Sequence, residues 1–150
     1  MDRALGMWLR AGGLLVCAAL GCAASGCASG APEVEQPDAE VRISRLLHLY
    51  QAYAQKHQKG PPNEQALKEF AAKLTSKEKE DFSIGDDVEG IFVSPRDNKP
   101  FGILYNVRLD PSQNRAIIWE ETGKDGMRYV ALSIGYVTQC DEQTFKDYRK

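Results

Sequence analysis

Apolar and polar residues follow three different rhythms along this chain. From Ala11 to Cys27 there is no charge: Ala11-Gly-Gly-Leu-Leu-Val-Cys-Ala-Ala-Leu20 runs into Gly21-Cys22-Ala-Ala-Ser-Gly-Cys27. From Val41 the apolar residues recur every three or four positions. Val41, Ile43, Leu46, Leu47, Tyr50, Tyr53 and Ala54 make one stripe, which predicts a helix over 39–59 with Asp38 as its N-cap. Gly60-Pro61-Pro62 stops it, because proline cannot continue the hydrogen-bond ladder. Asn63 caps a second predicted helix over 64–74, with Leu67, Phe70, Ala71 and Leu74 as its stripe. Thr75 and Glu78 have capping-box spacing for a further short turn through Phe82.

From Ile84 the period falls to two. Ile91-Phe92-Val93 reads as a short strand, and Pro95-Arg-Asp-Asn-Lys-Pro100 as a turn. Phe101, Ile103, Tyr105 and Val107 alternate in a second strand, and Ala116-Ile-Ile-Trp-Glu120 forms a third. Alternation places Ile117 and Trp119 on one face of that strand and Ala116 and Ile118 on the other. Both faces are apolar, so it is expected to be central; a partner-binding patch is the alternative. Asp125-Gly126 is a hairpin signal, followed by 129–134 and 136–138 as the last strands, and Asp141 caps a closing helix through Tyr148. The expectation is an α+β domain over 39–150: a long helix on an antiparallel sheet of about four strands, with a shorter helix covering one end.

The uncharged run changes the picture from fold to address. Arg3 and Arg10 precede it and small residues close it, which is the make-up of a secretory signal over 1–27. The run is too short and too rich in Gly and Ala for a good membrane span, which needs about 20 apolar residues. Residues 28–38 carry Pro32, Pro37 and small or acidic residues, so they read as a flexible tether of roughly 20 Å mean reach. Subtracting Arg3, Arg10 and Asp2 from the 19 basic and 21 acidic residues leaves a net charge of −3. The charges are interspersed with no basic stripe, which argues against nucleic acid as a partner.

Small residues directly before a cysteine make this leader resemble a bacterial lipoprotein signal. That resemblance implies an acylated cysteine as the mature N-terminus and export to the cell envelope. Cys22, after Ala19-Leu20-Gly21, and Cys27, after Ala24-Ser25-Gly26, both qualify, and the second fits the pattern better. Ala follows either cysteine rather than Asp, which by the same resemblance favours the outer over the inner membrane. The body is similar to the soluble part of type IV pilins and type II secretion pseudopilins. Phe92-Val-Ser-Pro-Arg-Asp97, Trp119-Glu-Glu-Thr-Gly-Lys-Asp-Gly126 and Arg128-Tyr-Val-Ala-Leu-Ser-Ile-Gly-Tyr-Val137 resemble a group of small planctomycete-type pilin-like proteins, over about residues 40–145. The leader departs from the prepilin pattern: with cleavage between Gly6 and Met7, the fifth residue, counted from Met7, is Ala11 rather than Glu. Ile134-Gly135 also stands where those relatives often carry Asp-Gly.

Candidates for chemistry are few. His48 and His57 lie nine residues apart, about 180° around a helix, and so cannot chelate one metal together. Cys140 as a thiol nucleophile beside a histidine has no supporting motif and reads better as a small buried hydrophobe. Glu78, Glu80, Asp81, Asp86, Asp87 and Glu89 gather oxygen ligands of the kind calcium takes, without EF-hand spacing. Gly123-Lys124 lacks the upstream glycine of a phosphate loop and reads as hairpin. No catalytic residue, metal or cofactor is expected. The resulting expectation is a non-catalytic, membrane-anchored envelope lipoprotein that binds another envelope protein. An envelope enzyme or a calcium-stabilised module is the alternative.

Overall fold

The computed structural model describes residues 38–85, 87–110 and 112–150. The leader, Cys22, Cys27 and all but the last residue of the tether lie outside them. In chain order come α1 (Asp38–His57), α2 (Glu64–Ala72), α3 (Ser76–Asp81), a 3-10 turn (Gly90–Phe92), β1 (Gly102–Ile103), β2 (Ala116–Trp119), β3 (Met127–Leu132), β4 (Val137–Asp141) and α4 (Glu142–Tyr148). The strands form one antiparallel sheet in the order β1-β2-β3-β4. The architecture is α+β, as the change of period predicts.

Local side-chain chemistry sets most helix ends. Asn63 accepts the Ala66 N–H at 2.9 Å. Thr75 and Glu78 close a reciprocal capping box, and Asp141 accepts the Thr144 N–H at 2.8 Å. Asp38 is the first residue of α1 rather than its cap. Asp38 and Glu40 at its start and Lys56 and His57 at its end suit the helix dipole. α1 stops at His57, two residues before the predicted end, and α2 stops at Ala72 rather than Leu74.

α1 buries Ile43, Leu46, Leu47, Leu49 and Tyr50 almost completely. Leu49 and Ala52 widen the stripe beyond the predicted one, because α1 packs against the 3-10 turn and α2 as well as against the sheet. The Tyr50 hydroxyl donates to Leu104 O at 2.9 Å. Burial foremost, then the neighbouring Tyr105, pushes that phenol well above its ordinary range.

Residues 91–93 are not a strand. Ile91 and Phe92 are both buried, which alternation in a half-covered strand would forbid. Arg42 of α1 donates to the carbonyls of Gly90 (2.9 Å) and Val93 (3.2 Å), occupying groups that a ladder would use. Only Val93 bridges, to Pro100. The strand predicted over 101–107 is likewise reduced to Gly102–Ile103. Asn106 turns the chain at φ 61°. Its N–H bonds Pro61 O at 2.9 Å, while Gly60 N–H bonds Val107 O at 2.7 Å. The proline-rich stop after α1 therefore takes up this backbone.

β2 is central, but its faces are not the predicted ones. Ala116 pairs with Leu132 and Ile118 with Ala131, so Ile117 is the extra residue of a β-bulge. Ile117 and Ile118 both join the core under α1. Ala116 and Trp119 join Val130, Leu132 and Cys140 on the opposite face, where Phe145 and Tyr148 of α4 cover them. Gly102 lies beneath Trp119, and a Cβ there would overlap the indole.

Candidate functional site

The histidines do not converge on a site. His48 is exposed, with Nδ1 3.3 Å from Phe82 O. His57 is exposed and stacked on Tyr53 at 4.3 Å between ring centroids. Cys140 is a free thiol on β4, buried against the outer cluster. Burial, the largest influence, raises its pKa, so the reactive thiolate is suppressed. Among the described residues no group of three or more His, Cys, Asp and Glu side chains is placed to hold a metal; Asp86 lies outside them. Glu78 is engaged by Thr75, Asp87 accepts the Gly90 N–H at 2.8 Å, and Glu89 bonds Lys68 at 2.6 Å. Gly123 and Lys124 belong to the β2–β3 hairpin. Lys124 and Met127 exchange backbone bonds around Asp125 (φ 55°) and Gly126 (φ 77°).

A polar cluster that sequence reasoning did not foresee joins the stretches 92–97, 119–126 and 128–137. The turn after Val93 docks on the end of β2. Glu120 is fully buried. Its carboxylate accepts from the Ser94 hydroxyl (2.5 Å) and the Tyr129 N–H (2.8 Å), and it pairs with Arg96 at 3.0 Å. Arg96 also donates to Lys124 O and Met127 O, each at 3.1 Å, and lies over the Tyr129 ring. Next to it Asp97 accepts from Thr122 N–H, Thr122 hydroxyl and Gly123 N–H at 2.9–3.1 Å. Burial raises the Asp97 pKa, but these donors together with the Lys99 N–H outweigh it and hold the carboxyl below its ordinary range. The available signal was a glutamate directly after an all-apolar central strand, which must find buried partners.

A serine beside a carboxylate resembles an activated nucleophile. Here Ser94 and Glu120 are both 0% exposed, and each oxygen of Glu120 already has a donor. The geometry suits a clamp that fixes the 94–97 turn to the hairpin. The surface offers something different. Among the described residues, Ile134 (47% exposed) and Tyr136 (59%) are the large hydrophobics left in solvent. They flank Gly135 at the β3–β4 turn (φ 88°).

No family model, no curated protein and no solved structure matches this chain. The site therefore has to be read from its own geometry. Among the described residues no helix is long and apolar enough to cross a membrane.

Proposed function

We propose that the chain is a non-catalytic envelope lipoprotein. An acyl chain on Cys27, or on Cys22, holds a pilin-like α+β domain to the membrane facing the periplasm, with the outer membrane favoured. The domain binds another envelope protein, in a structural or secretion-related assembly. The reading rests on the leader, whose basic start, apolar run and Gly-Cys ending have the lipoprotein form. A long helix on an antiparallel meander supports the pilin-like part.

The observation that carries the binding role is the pair Ile134 and Tyr136. Each is a large apolar side chain held in water on the tight turn of a firmly built sheet. Tyrosine with a neighbouring aliphatic residue is the composition of an interface anchor. Placing a photo-reactive phenylalanine at Tyr136 in cells tests this. A discrete crosslinked partner is expected at 136 and none at exposed Lys77 on α3. The same pattern at both positions, or no adduct at either, would overturn the role.

A further inference from the structure

The outer face of the sheet carries a second surface feature, independent of the β3–β4 turn. Between the end of β2, the start of β3 and α4 lies an open cleft of about 470 Å³ floored by Trp119 and Phe145. Four basic and two acidic side chains line it, on a chain whose net charge is −2. The two arginines in it are in opposite states. Arg128 is engaged: it donates to the carbonyls of Glu120 (3.0 Å) and Glu121 (2.8 Å) and pairs with Glu142 at 2.5 Å. Its guanidinium lies 4.2 Å from the Phe145 ring centroid. Arg149 lies 3.9 Å from the centroid of Trp119, and among the described residues no carboxylate pairs with it. Of the two acids in the lining, Glu121 and Glu142, the second is shared by Arg128 and Lys146.

A guanidinium over an indole face keeps its planar fork of N–H donors at the edge, where it can meet an acceptor in the same plane. The ring below removes water from one side of the cation, so less solvent must be displaced when a carboxylate arrives. The fork matches the two oxygens of a carboxylate. The part-exposed Phe145 ring, with the small part of Trp119 left open beside it, gives an apolar floor for the neighbouring side chain.

We infer that this cleft binds an acidic peptide segment of a protein partner: a Glu or Asp carboxylate on the Arg149 fork, and an adjacent aliphatic side chain against Trp119 and Phe145. Lys150 is paired with Asp147, and Arg128 and Lys146 share Glu142. The segment's negative charge therefore meets Arg149, the lining cation with no carboxylate paired among the described residues. The site does not depend on Ile134 or Tyr136, and loss of either leaves the other intact.

The test uses the full-length chain in detergent, carrying Trp8→Phe so that Trp119 is its sole tryptophan. A capped peptide of alternating Glu and Leu is titrated while Trp119 emission is followed. A saturable change is expected, about tenfold weaker for the Gln-for-Glu peptide and for Arg149→Gln, as the loss of a charge-assisted pair implies. Arg149→Lys is expected to restore only part, since the ammonium lacks the fork. Thermal unfolding of the Arg149 variants is expected to stay near the parent's, which separates lost binding from lost fold. Three results would overturn the inference: no change with peptide into the millimolar range; equal binding by Arg149→Gln; or inorganic phosphate giving the same response and blocking the peptide's, which would mark a simple anion site.

Discussion

The face of the sheet under α1 and the face under α4 are closed by different means. Under α1 the bulge turns Ile117 and Ile118 the same way, and they meet Ile43, Leu46 and Leu47 in one continuous apolar core. Under α4 a seven-residue helix covers a much smaller cluster, and arginines lie over the rings of Trp119 and Phe145. The first face is built for stability. The second leaves the Arg149 guanidinium and part of the Phe145 ring at the surface. A short amphipathic cover of this kind costs little core and exposes recognition chemistry.

The clamp around Glu120 lies at the end of β2, between these two regimes, and is where the largest effect is expected. Glu120→Ala leaves Arg96 without its buried partner and strands the Tyr129 N–H, and should destabilise the domain by about 3–5 kcal/mol in urea unfolding. Glu120→Gln keeps an acceptor and should lose less. Next, Leu49→Ala under α1 should cost about 2–5 kcal/mol. Phe145→Ala under α4 should cost only about 1–2 kcal/mol, because its ring is part-buried. Equal losses at these two positions would erase the contrast between the faces.

The smallest effect is in acid. Asp97, whose donors outweigh the raising effect of burial, and Asp141, lowered chiefly by the Thr144 N–H, both have carboxyls held below their ordinary range. The unfolded chain therefore binds these protons more readily than the folded one. Their stabilisation is complete above about pH 4 and is lost as the pH falls through their folded values. The urea midpoint of the parent should drop more between pH 6 and pH 3 than that of the chain carrying Asp97→Asn and Asp141→Asn. Asp97 serves the hairpin and Asp141 caps α4; Glu78 at the start of α3 and Asp110 before β2 are held down in the same way by Thr75 and Ser112.

What could be read from the chain itself was what residues settle within four positions of one another. The caps at Asn63, Thr75 and Asp141 and the turn at Asp125-Gly126 are such contacts, and so is the change of period that marks helix from sheet. Contacts set from afar were not legible. Arg42 takes carbonyls 48 and 51 residues away and turns a predicted strand into a 3-10 turn. The bulge at Ile117 depends on how β2 meets β3, and it exchanged the faces of Ile118 and Trp119. The motifs 92–97 and 119–126 were visible as turns, but only the fold shows that Ser94 and Arg96 meet Glu120 across 26 and 24 residues. The cleft at Arg149 joins β2, β3 and α4, so no single stretch announces it.

The central claim is that a lipid on an N-terminal cysteine holds this domain in the envelope. Intact-mass measurement on protein recovered from its native cells tests it most directly. The account predicts a membrane-fraction species beginning at Cys27, or at Cys22, and heavier than its peptide mass by acyl groups on that residue. A chain that still begins at Met1, carries no lipid and is recovered from the soluble cytoplasmic fraction would contradict it.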